Sequence, residues 1–216
     1  MAVIIPKPIS FADSLPISSV KWELKYQQEL SGLGTGEFLA ADLGEAYFAA
    51  TVTLDKADHR TMLAIQADFE TLDGAINAFY LYDPRAMYPA ADPKGVLLGS
   101  ATPAIGAIGA NNKSLTVSGL PAGYVLTKGD FFHFDYGSNP VRRGFYRIVE
   151  TVAADGNGVA ASFEVRPHFR PGVTAGLPIA LIKPACKVKL VPGTFDPGTG
   201  KGFMTEGLTF QVQQVP

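Results

Sequence analysis

One amphipathic helix constrains this chain more than any other stretch, because it needs a sheet to cover it and almost everything around it reads as strand. Between Asp55 and Arg85, the apolar residues Met62, Ile65, Phe69 and Leu72 recur at steps of three and four and so share one face. Asp55 or Asp58 can cap the start, since a short carboxylate accepts the orphan N–H groups of a first turn. Gly74 suits a left-handed C-cap, where a Cβ would be penalised. The spacing predicts a helix over 56–73, followed by an aromatic strand over 78–82 that ends at Asp83-Pro84.

The remainder is organised at period two. Val20, Trp22, Leu24 and Tyr26 alternate with Lys21, Glu23, Lys25 and Gln27, a strand with one buried face and Trp22 in the core. Further strands are expected at 47–54, 114–118, 131–136, 144–152, 159–166, 177–182 and 186–191, with a last one over 206–213. Asp155-Gly156-Asn157-Gly158 between two alternating runs marks a hairpin. Residues 1–18 read as an extended arm, because Pro6, Pro8 and Pro16 oppose helix and central strand alike. Residues 31–46 and 192–204 read as long mobile loops, and 89–113 as a linker with a weak strand.

The fold class expected is therefore mainly β with one helix. The N-terminal strands are too few to cover the helix, and the C-terminal strands supply what is missing. That places 1–92 and 184–216 in one discontinuous β-sandwich domain, with 93–183 inserted as a small β-barrel of about five strands.

The residue types that carry chemistry are sparse. Cys186 is the only cysteine, which leaves no disulfide and no cysteine-built metal site within one chain. His59, His133 and His168 lack metal-ligand spacing, so no metal and no cofactor are expected, and His133 reads as a polar surface group on its strand. No nucleophile elbow or phosphate loop occurs. The formal net charge of −2 gives no reason to expect a polyanion as main partner. The proline-broken start resembles neither a signal peptide nor a membrane span, so a soluble protein without membrane contact is expected.

The order of parts resembles the distal tail proteins of long-tailed bacteriophages and prophages. The resemblance is carried by VKWELKYQ, by LDGAINAFYLYDPR, by GLPAGYVLTKGDFF with RRGFYRIVE, and by LPIALIKPACKVKLVP followed by TEGLTFQV. It implies a first domain similar to tail-tube subunits and an insert resembling an oligonucleotide/oligosaccharide-binding (OB) barrel. It also implies a structural role without catalytic residues. Such proteins form a ring, typically of six copies, that joins the tail tube to the hub or baseplate. The insert projects outward, toward tail fibres or host-surface glycans. The implied location is the virion tail, assembled in the bacterial host cytoplasm.

A ring needs head-to-tail contacts that close by rotation. The segments 1–18, 31–46 and 192–204 are candidate contact regions, with Phe38, Phe195, Phe203 and Met204 as large apolar residues on glycine-rich loops. The alternative for each is that it folds back on its own domain. Three other functions fit parts of the pattern. One is a carbohydrate- or cell-surface-binding module. Another is a single-strand nucleic-acid binder using Arg142, Arg143, Arg147, Arg166 and Arg170 with Tyr146, Phe163 and Phe169. The third is a hydrolase built on carboxylates such as Asp135 and Glu164.

Overall fold

A computed structural model describes residues 4–216. In chain order the elements are α1 (Ile9–Asp13), β1 (Ile17–Gly32), β2 (Phe38–Leu54), β3 (Ala57–Asp58), α2 (His59–Glu70) and β4 (Phe79–Tyr82). A 3-10 turn at Pro84–Ala86 leads to β5 (Ala104–Ile108), β6 (Ser114–Ser118), β7 (Val125–Leu126), β8 (Phe131–Tyr136) and β9 (Arg142–Ile148). Then come β10 (Val152–Ala153), β11 (Ala160–Arg166), β12 (Ala185–Leu190), β13 (Thr199–Lys201), β14 (Met204–Glu206) and β15 (Thr209–Gln214). The molecule is mainly β, with all strand-to-strand pairings between these elements antiparallel.

The first sheet has the order β1-β2-β15-β12-β4, so it draws on both ends of the chain. Its inner face carries Trp22, Phe48, Val52, Phe79, Leu81, Val188, Phe210 and Val212, all buried. Helix α2 lies on that face through Met62, Ile65 and Phe69, and Phe69 meets Phe210 at 4.7 Å and Phe79 at 6.0 Å between ring centroids. Asp58 caps α2 by accepting the Thr61 N–H at 3.0 Å, which satisfies one first-turn donor. The chain leaves the helix region through Asp73 and Gly74, both at positive φ.

The second sheet has the order β5-β6-β11-β9-β8 and curls into a half-barrel, with β7 and β10 paired beside it. Its own core includes Ile105, Leu115, Phe132, Phe134, Tyr146 and Phe163. The alternation of β8 and β9 splits their side chains between two cores. Phe132, Phe134 and Tyr146 face inward, whereas Phe131 and Phe145 face the first sheet and belong to its core. Phe145 packs on Trp22 (5.6 Å), Phe48 (5.2 Å) and Phe131 (4.9 Å), so an aromatic cluster joins the two sheets.

Several sequence expectations need correction. The arm over 1–18 contains α1, because Pro8 and Pro16 flank the helix instead of interrupting it. Phe11, Ala12 and Leu15 of this segment are buried in the first core, and Lys7 pairs with the free edge of β4. There are thus two α-helices among the described residues, not one. The segment 31–46 is no loose connection: β1 runs to Gly32 and β2 restarts at Phe38, with Gly36 at φ +88° in the turn. Residues 177–182 make only isolated bridges, at Pro178 and Ala180, since proline removes a ladder donor there. Conversely, 192–204 contains β13 and the start of β14, which pair with each other and with β3.

Candidate functional site

The free half of the β1–β2 hairpin is the most unusual surface. β15 pairs with β2 only over Ala49–Thr53, so beyond that point the two strands have only each other. Every residue from Lys25 to Glu45 is exposed. The register sets Gly32 opposite Phe38, Leu30 opposite Ala40, and Ser31 opposite Leu39. Phe38 and Leu30 therefore share one face of the ribbon, and Leu39 and Ala41 share the other, while Leu43 is the unpaired residue where the register shifts. A two-stranded ribbon is marginal in water on its own, and here each face mixes exposed apolar side chains with polar ones, Gln28 and Asp42 on the Phe38 face and Glu29 and Ser31 on the Leu39 face.

Phe38 stands at the tip, 76% exposed. Tyr26, at the root, is exposed where the alternation placed it on a buried face; further out stand Leu30, Leu33, Leu39 and Leu43, exposed large apolar residues that the sequence pattern did not single out. They were hidden because apolar residues on both faces erase the period-two signature of a strand. Charge on the hairpin is one-sided. Glu29, Glu37, Asp42 and Glu45 lie there, and no Lys or Arg occurs between Lys25 and Lys56. Glu45, at the root, is held by Arg170 at 2.7 Å.

Phe203 and Met204 lie near the opposite end of the same strands, in the β13–β14 hairpin, whose second strand pairs with β3 just after β2. Phe203 is 91% exposed. His59, at the start of α2, touches this hairpin through Nδ1 to Thr205 Oγ1 (2.7 Å) and Nε2 to the Gly202 carbonyl (2.9 Å). Leu63, one turn further along α2 and also exposed, extends the patch. Phe195 is different: it is half-buried and packs on Phe69 at 5.0 Å, so its ring belongs to the first core and is no free contact. The structure thus separates the four residues singled out from sequence into a tip, a base patch and a core position.

The reactive side chains are engaged structurally. His133 is buried, not on the surface as its strand position suggested, because the outward face of β8 is covered by β12. Its Nδ1 accepts the Ala185 N–H at 3.1 Å, which fixes the neutral ring with the proton on Nε2. Burial, helped by the Arg143 cation, pushes its pKa down to about 4. Arg143 binds Asp135 through two bonds of 2.7 and 2.8 Å and stacks over Tyr80 at 4.0 Å. That pairing holds the Asp135 carboxyl below its ordinary range. Arg166 pairs with Glu164, and Arg147 lies over Phe131 at 4.5 Å. Tyr146, Phe163 and Phe169 are buried, which removes their faces from base stacking.

Among the described residues no group of three or more His, Cys, Asp or Glu side chains is placed to hold a metal ion. No helix among them is long and apolar enough to cross a membrane. A cleft of about 370 Å³ lies between the root of the hairpin and the half-barrel, lined by Tyr26, Asp42, Glu45, Arg166 and His168 among others. No family model matches the chain, and no curated protein matches it.

Proposed function

We propose that this chain is a structural ring component of a phage or prophage tail, a distal tail protein linking the tail tube to the hub or baseplate. The observation that carries it is the β1–β2 hairpin, exposed along its free half with large apolar residues on both faces, which calls for a partner surface outside its own subunit. In this reading the first sheet with its helices corresponds to a tail-tube-like sandwich, and the half-barrel to an outward-facing OB-like module. The role is one of assembly and not of catalysis, and the site of action is the virion tail built in the host cytoplasm. Partners are further copies of the chain, the tail tube and the hub.

The reading is tested by purifying the chain and measuring its mass by light scattering across a wide concentration range, with negative-stain imaging of any assembly. A ring, six-fold on this reading, is the expected result. A monomer at every concentration overturns it.

A second reading is favoured by the cleft beside Tyr26, where an aromatic ring stands with carboxylates and cations of the kind that hold sugar hydroxyls. It has the protein binding a host-surface carbohydrate there. It predicts that a bound saccharide raises the melting temperature, and the absence of any shift across a glycan panel removes it.

A further inference from the structure

The inward face of the half-barrel ends in a polar pair. The register sets Arg142, the first residue of β9, opposite Tyr136, the last of β8, and the alternation that turns Phe132 and Phe134 into the core carries both to the same face. Tyr136 is only 2% exposed, and its hydroxyl is buried without a hydrogen-bond partner in the chain. It borders a hollow of about 430 Å³ that Arg142, Arg170 and Glu45 also line.

The groups around that hydroxyl define what it lacks. The guanidinium groups of Arg142 and Arg170 beside it donate and cannot accept, so the phenolic hydrogen needs an acceptor from elsewhere. The lining carboxylate is committed, since Glu45 holds Arg170 Nε at 2.7 Å. The Pro216 oxygen at the rim accepts from Lys187 Nζ at 2.8 Å. Arg142 itself forms no ion pair among the described residues. Water accepts a phenolic hydrogen bond but brings no charge to Arg142. A carboxylate or phosphate oxygen satisfies both groups at once.

The hollow adjoins the cleft beside Tyr26. Glu45 lines both, and His168 of the cleft stands two residues from Arg170 of the hollow, at most ~7 Å along the backbone. The free charges are ordered along the pair. In the cleft Arg166 is tied to Glu164, and Asp42 accepts from Gln28 at 2.8 Å but has no cation. Asp42 lines only the cleft and Arg142 only the hollow. A ligand with neutral hydroxyls at one end and an anion at the other matches that order.

We propose that cleft and hollow together bind an acidic saccharide. Its sugar ring lies on Tyr26 with hydroxyls toward Asp42, and its anionic substituent, a carboxylate or a phosphate, is seated by Arg142 and the Tyr136 hydroxyl. This rests on the carbohydrate reading of the cleft and names the class of glycan it takes.

The test titrates the labelled full-length chain over an array of glycan pairs. Uronate-containing oligosaccharides stand beside their methyl esters, and phosphorylated oligosaccharides beside their dephosphorylated forms. The acidic member is expected to bind about tenfold more tightly than its neutral partner, the worth of a hydrogen bond to a charged group. Which kind of pair shows the preference separates carboxylate from phosphate. Arg142→Gln and Tyr136→Phe should each bring acidic binding down toward the neutral level. Both leave the fold intact, because Arg142 is exposed and phenylalanine removes only a hydroxyl without a partner in the chain. Tyr136→Phe should therefore keep or raise the melting temperature; a lowered one shows the hydroxyl already partnered and overturns the seat. Equal binding of acidic and neutral glycans, or a preference that survives either substitution, overturns the anion seat and leaves the carbohydrate reading standing. No binding of any glycan overturns both.

Discussion

His133 sits where the half-barrel meets the first sheet, and acidification tests how that joint is held. Its Nδ1 accepts the Ala185 N–H and can do so only while unprotonated. The folded-state pKa is about 4, against an ordinary value of 6.5. Above pH 6.5 the ring is neutral in both folded and unfolded chains and contributes no pH dependence. As the pH falls below 6.5 the unfolded chain binds a proton that the folded chain refuses, so stability declines until about pH 4 and then levels off. A difference of 2.5 units corresponds to about 3 kcal/mol lost across that window. Asp130 works in the opposite direction, since burial raises its pKa and favours the folded state as acid is added. The quantity to measure is therefore the difference between the wild type and His133→Gln, which retains an acceptor without a titrating group. Urea unfolding at half-unit steps from pH 7.5 to 4 supplies it. The wild type should lose about 3 kcal/mol more than the variant over this range. Parallel stability profiles for the two proteins refute the assignment of His133 as a buried neutral acceptor.

The remaining predictions concern the joint, the helix cap and one glycine turn. Phe145→Ala removes a ring packed on Trp22, Phe48 and Phe131, and should cost ~3–5 kcal/mol in urea unfolding. It should also split the single transition in two, because the half-barrel keeps its own core; a loss below about 1 kcal/mol counts against the cluster as the link. Asp58→Ala deletes the cap on Thr61 and should cost about 1 kcal/mol in chemical unfolding, and an unchanged midpoint counts against the cap. Gly158→Ala places a Cβ 2.1 Å from the Leu120 carbonyl oxygen at φ +74°, so it should destabilise by ~2 kcal/mol or more. A thermal midpoint unchanged in Gly158→Ala would show that the turn relaxes freely.

Local pattern determined much of this molecule. The spacing Met62, Ile65, Phe69 defines the buried face of α2 because a helical period depends on neighbours in sequence. The alternation in Phe131–Tyr136 and the 155–158 turn fix β8 and the β10–β11 connection for the same reason.

Tertiary structure decided what depends on distant partners. Whether Phe195 is free or core is settled by Phe69, far away in the chain. His133 looks like a surface residue along its own strand and is buried only because β12 lies over it. The arm folds because Phe11 finds Phe69 and Phe79 at 5.3 and 5.7 Å, a gain that no reading of its prolines contains. The hairpin from Gln27 to Gly44 was invisible as strand because a ribbon that mixes apolar and polar residues on both faces has no alternation to read. Alternation records the boundary between core and water, and a segment whose two faces both await a partner does not write that boundary into its sequence.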